Sequence, residues 1–146
     1  METIVKTQVG AYGIMIKDNK IALVRKARGG YKGKLDLPGG GIEHTEQPFE
    51  TLKREIREEA GIGITNYKLL DVVATNIKWE MEPDLWEDLH HIGILYTVET
   101  NESSLKSDAD GLDSDGANWY NLNELNKTEL SPFTIMALEK LGYTLK

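Results

Sequence analysis

Glu58 and Glu59 lie three and four residues after Glu55, and Arg54 stands directly before it. On a helix those spacings turn all three carboxylates to one side, where like charges repel until cations neutralise them. Hard carboxylate oxygens of this kind suit Mg²⁺ or Mn²⁺. A metal site of that type neutralises phosphate charge and acidifies water for in-line attack, and one glutamate can take the proton. The plainer reading is a solvated helix face, in which pairs such as Glu50 and Arg54 contribute a few tenths of a kcal/mol.

The acids need a rigid support. Pro48 suits a first helical turn, Phe49, Leu52, Ile56 and Ala60 recur at helical spacing, and Gly61 ends the run, so a helix is expected over 48–60. Its apolar stripe lies beside the carboxylates, which makes Glu59 the least exposed of the three. Thr7 to Lys17 and Ile21 to Ala27 read as strands joined by a hairpin turn at Asp18-Asn19. Arg28 to Gly41 reads as loop, with Pro38-Gly39-Gly40-Gly41 turning toward the acidic helix. Further strands are expected at 67–79, 91–99 and 119–122, and a last helix at 132–141 after Ser131. Glu80 to Asp88 and Asn101 to Gly116 fit no regular element, the second being long for a structureless connection. The expectation is one α/β domain, 1–146, with a mixed sheet packed between helices.

Composition narrows the chemistry. The chain contains no cysteine, which excludes disulfides, thiolate metal sites and cysteine nucleophiles. A net charge of −7 disfavours extended nucleic-acid binding, while a small phosphorylated ligand fits if cations mediate. No apolar run reaches spanning length and residues 1–6 lack a signal-peptide core, so the expectation is no membrane partner and a cytoplasmic location. His90 and His91 are neighbours that would point to opposite faces of a strand and cannot share one metal. Gly29 to Lys34 is one residue short of a Walker loop and continues into Leu35 where that loop needs Ser or Thr.

From Gly40 the full pattern is Gly, five residues, Glu46, seven residues, then Arg54-Glu55-Ile56-Arg57-Glu58-Glu59-Ala60-Gly61-Ile62. Average residue usage would produce it on the order of once in ten million chains. It resembles, without a missing position, the box of the Nudix (MutT-like) hydrolase family. The preceding Pro38-Gly39-Gly40 turn, the strand order and Trp119 are similar to that family too, although Leu35 stands near where a Trp is often found.

The resemblance implies a Nudix α/β/α sandwich and a metal-dependent pyrophosphohydrolase cutting a phosphoanhydride bond in a nucleoside diphosphate linked to another group. It implies Glu55, Glu58, Glu59 and the Gly39 carbonyl as ligands of Mg²⁺ or Mn²⁺, Glu55 or Glu58 as base, and Arg54 as the residue orienting a box glutamate. Asp113 and Asp115, upstream of Trp119, are candidates for a distal ligand or base. Arg25, Arg28 and Lys34 are candidate phosphate contacts, and residues 79–88 are expected to form a specificity loop with Trp79 or Trp86 facing a base. A nucleoside triphosphate, a nucleotide sugar, a dinucleotide cofactor and a capped RNA end all remain as substrates, because Asn76 to Glu80 carries neither the Pro nor the Tyr that marks two of the family's specificities. The pattern leaves room for a homodimer. The alternative is a non-catalytic nucleotide-binding module acting as a sensor or regulator; such modules commonly lose box acids, and here every one is retained.

Overall fold

The computed structural model describes residues 1–108 and 114–146. Along β1 (Glu2–Ile14), successive side chains point to opposite faces, and this alternation builds two apolar layers. Ala11 packs with Leu52, Ile56 and Ala60 of α1 (Pro48–Ala60), whereas Tyr12 and Ile14 pack with Phe133, Ala137 and Leu138 of α2 (Pro132–Lys140). The result is helix, sheet and helix in three layers, as expected.

One sheet has the order β5-β1-β7-β6, where β5 is Gly39–Gly41, β6 Asn66–Glu82 and β7 Leu85–Glu99. β1 runs parallel to β7 and antiparallel to β5, so the sheet is mixed. In the second sheet β3 (Lys20–Lys26) is bordered by β2 (Ile16–Lys17), β4 (Leu35–Asp36) and β8 (Ser114–Asn121). Asp18 and Asn19 both have positive φ, the geometry of a tight two-residue hairpin.

Helix α1 begins at Pro48 and stops at Gly61, whose left-handed φ of 72° and N–H bond to the Arg57 carbonyl close its end. Leu52 and Ile56 are fully buried. Each such side chain contributes roughly 1.5–3 kcal/mol, which fixes the helix and therefore its acids against the sheet.

Several expectations need correction. Glu80 to Asp88 is no loop: β6 and β7 continue through it as a hairpin, with the turn at Pro83-Asp84. Cross-strand pairing overrides the acidic, Pro-containing composition. Two short strands, β4 and β5, interrupt the expected loop 28–41, and β8 starts at Ser114 rather than Trp119. Residues 101–108 form no regular element and are held down by hydrogen bonds: the Lys106 N–H donates to the Ala60 carbonyl, and the Lys106 carbonyl accepts from the Ala117 N–H. This carries the connection across the C-terminal end of α1.

Candidate active site

Strand β5 and helix α1 form one wall. The Cβ of any other residue at Gly39 would collide with the Ala11 carbonyl, and one at Gly40 would lie 2.6 Å from the Glu55 carboxyl carbon. Glycine is what allows strand and carboxylate to approach so closely. Glu59 is 3% exposed and its Oε1 accepts the Gly39 N–H at 2.8 Å, which ties β5 to the helix. It is thus the least exposed of the three acids, as its position beside the apolar stripe predicts.

Arg54 holds the remaining acids. Its Nε and a terminal nitrogen donate to both oxygens of Glu46 at 2.8 and 2.9 Å, the second terminal nitrogen donates to Glu55 at 2.8 Å and to Glu58 at 3.4 Å. The fork geometry of a guanidinium makes this possible. Hydrogen bonds from Arg54, and then from the Glu43 backbone, pull the Glu46 carboxyl down to about 2, while Glu46 raises the Arg54 guanidinium above its already high value.

A cavity of about 1080 Å³ opens over this wall. Glu55, Glu58, Arg54, Gly39, Arg28 and Trp79 line it together, joined by Lys26 and Lys32. Other expected residues lie elsewhere. Arg25 donates to the Gly33 carbonyl and Lys34 to the Thr128 carbonyl, so both cations staple backbone instead of facing the cavity. Trp86 falls on the opposite sheet face, because it alternates with the cavity-lining Glu87, Leu89 and His91. Glu59 is buried behind the cavity surface under Gly39. Asp115 is exposed on β8 and does not line the cavity, and Asp113 lies outside the described residues.

Sequence reasoning excluded a shared metal at His90 and His91 and missed the group to which His91 belongs. His91 is buried on the cavity floor between two phenols: Tyr12 Oη lies 2.7 Å from Nε2, and Tyr31 Oη lies 3.2 Å from Nδ1. His90, its neighbour, is exposed on the other face. Burial, reinforced by Lys26, lowers His91 to about 4, and burial also raises both phenols. No local motif announces this cluster: the parallel register sets His91 beside Gln8, and the Tyr12 side chain lies back over Gly10 to reach it.

The lowered His91 value has a consequence for stability. The unfolded chain takes up a proton on this ring near pH 6.5 and the folded chain only near 4, so stability is complete above 6.5 and declines as pH falls through that window. The loss by the lower end is on the order of 3 kcal/mol. Urea unfolding between pH 7.5 and 5 should show a steeper loss for the native chain than for His91→Gln; equal slopes would exclude this linkage.

The donor set suits a hard cation. Glu55 and Glu58 present carboxylate oxygens to the cavity beside the backbone of Gly39 to Gly41, and Mg²⁺ keeps several waters and needs only one or two carboxylates. Among the described residues no three acidic or imidazole side chains form a ready cage, since Arg54 and the Gly39 amide hold the acids.

Known proteins agree with this architecture. The profile of the NUDIX domain matches residues 6–141, and the chain belongs to the Nudix hydrolase family. It is 34% identical over 119 residues, 82% of its own length and 64% of the relative's, to an ADP-ribose pyrophosphatase of Methanocaldococcus jannaschii. The chain thus spans slightly less than two thirds of that relative. It is 28% identical to an 8-oxo-dGTP diphosphatase of Escherichia coli, covering 93% of this chain and 96% of that one. A crystal structure of a MutT NUDIX hydrolase from Burkholderia pseudomallei superposes with a TM-score of 0.73 at 24% identity, covering 93% and 98% of the two chains, a likeness of fold.

No helix among the described residues is long and apolar enough to cross a membrane.

Proposed function

We propose that this chain is a divalent-metal-dependent pyrophosphohydrolase that cuts a phosphoanhydride bond in a nucleoside diphosphate linked to another group. The observation that carries this reading is that Glu55 and Glu58 open onto the same cavity as Lys26, Arg28 and Lys32. Acids that favour a hard cation and cations that favour phosphate therefore share one space. The relatives named above, an ADP-ribose pyrophosphatase and an 8-oxo-dGTP diphosphatase, act on molecules of this class by their names.

Glu55, Glu58 and the Gly39 carbonyl would hold Mg²⁺ or Mn²⁺, with Glu59 supporting β5 from below. When bound there, the metal supplies neutralisation of phosphate charge and a more acidic water. Arg28 and Lys32 bind the phosphate oxygens that the acids do not reach. Glu58, half-exposed and held by Arg54 only at 3.4 Å, accepts the proton of the attacking water more readily than Glu55, which is tied to Arg54 at 2.8 Å. Asp115, exposed on β8 and off the cavity lining, takes no part in these steps.

The test is a panel of nucleoside triphosphates, nucleotide sugars and dinucleotides incubated with Mg²⁺, with products identified. At least one should be cleaved at a phosphoanhydride, faster at alkaline pH because the carboxylates must be ionised and the water must lose a proton. EDTA should abolish turnover. Undiminished hydrolysis in metal-free buffer would eliminate the mechanism, and binding without cleavage of any panel member would favour a sensor.

A further inference from the structure

The cavity floor carries a hydrogen-bonded chain that the hydrolytic step does not use. Tyr12, His91 and Tyr31 all line the cavity, and His91 is flanked on both ring nitrogens by phenol oxygens. Trp79 and Leu89 line the cavity beside them. The Trp79 indole is fixed by its N–H bond to Glu87 at 2.9 Å, and the loop backbone lies on it, since a Cβ at Gly30 would stand 3.0 Å from Trp79 Cδ1. Leu89 completes this side. An indole and an aliphatic side chain beside one hydrogen-bonding line fit a nucleobase, while the cations of the same cavity suit phosphates.

We propose that His91 is a positioning residue that sets, through the Tyr31 hydroxyl, whether the site accepts a keto or an amino purine. This rests on the nucleotide reading above.

A neutral imidazole has one N–H and each phenol one O–H, three protons in all, and two hydrogen bonds within the chain use two of them. One proton always remains to point outward. With the proton on Nε2, Tyr31 donates to Nδ1, and its oxygen meets the ligand as an acceptor suited to an amino group. With the proton on Nδ1, His91 donates to Tyr31, whose own O–H faces the ligand as a donor suited to a keto group. Burial keeps the ring neutral and both phenols protonated, so both arrangements are available and the native site takes either base.

Tyr12→Phe should lock the switch. It replaces the hydroxyl with an electropositive ring C–H facing Nε2, which tolerates a bare nitrogen there and repels an N–H. The proton moves to Nδ1, Tyr31 becomes a donor, and keto purines are preferred.

The experiment measures equilibrium binding, by titration calorimetry with Mg²⁺, of the α,β-methylene diphosphates of inosine and adenosine, which cannot be cut at that bridge. The native chain should bind the two with dissociation constants within roughly threefold, Tyr12→Phe should shift the ratio roughly tenfold toward inosine, and Tyr31→Phe should weaken both by roughly tenfold. If Tyr12→Phe weakens both equally, or leaves both unchanged, the cluster is a packing feature and the proposal is overturned. Should Tyr12→Phe not fold, unaltered binding of both analogues by Tyr31→Phe overturns it as well. Absence of binding by the native chain also overturns it, whereas binding with the expected ratios and no hydrolysis of any cleavable nucleotide would refute the hydrolase reading alone.

Discussion

Glu58→Gln is expected to lower kcat by about a thousandfold while the folded state stays as stable as before or becomes slightly more so. The side chain is half-exposed, and its contact with Arg54 at 3.4 Å is long and solvent-screened. Its removal costs the fold little and relieves repulsion with Glu55. What disappears, on the proposed mechanism, is the charge that would hold the cation and receive the proton. Thermal unfolding and steady-state kinetics on the same preparation separate these effects. A variant that unfolds while its remaining folded fraction keeps full specific activity would assign Glu58 to packing.

Arg54→Ala is the second large expected effect, a loss of about a hundredfold in kcat/KM accompanied by measurable destabilisation. One guanidinium binds Glu46 through both oxygens and also reaches Glu55 and Glu58, so its loss removes the charge that these three acids share. Arg54→Lys should recover part of the stability but little of the rate, since a point charge cannot reproduce the fork. The acid limb of the stability profile provides an independent check. Glu46 is held at about 2 in the folded chain, below its ordinary value, so its contribution is present above that ordinary value and is lost as pH falls toward 2. Without Arg54 this part of the slope should shrink, the Glu43 amide and the Thr51 hydroxyl keeping a remainder. Retention of both the slope and the rate would show that the Arg54 network is incidental.

Much of the catalytic wall was legible in the residues alone. Helix α1 has the bounds that Pro48, the apolar spacing and Gly61 imply, because each signal acts within a turn or two of chain. The burial of Glu59 followed from its place beside the stripe of Leu52, Ile56 and Ala60. The substrate side was much less legible. Arg25, Arg28 and Lys34 look alike as cations in a glycine-rich segment, yet only Arg28 faces the cavity, since the other two reach carbonyls of Gly33 and Thr128. Trp79 and Trp86 look alike as aromatic residues among acids, and strand alternation separates them once Glu80 to Asp88 is known to be hairpin.

The sequence by itself determined the family, the acidic helix and the glycine strand that must approach it, because those features depend on short-range periodicity and on a box complete at every position. Tertiary structure decided which side chains share the cavity. Tyr12 and His91 are 79 residues apart and Tyr31 and His91 60 apart, and the register of β1 on β7, with the loop folded over it and the Tyr12 side chain lying back over Gly10, brings the three together. Strand register is set by the sum of many weak cross-strand contacts and by which face is buried, information spread over the whole sheet and held by no local stretch of residues.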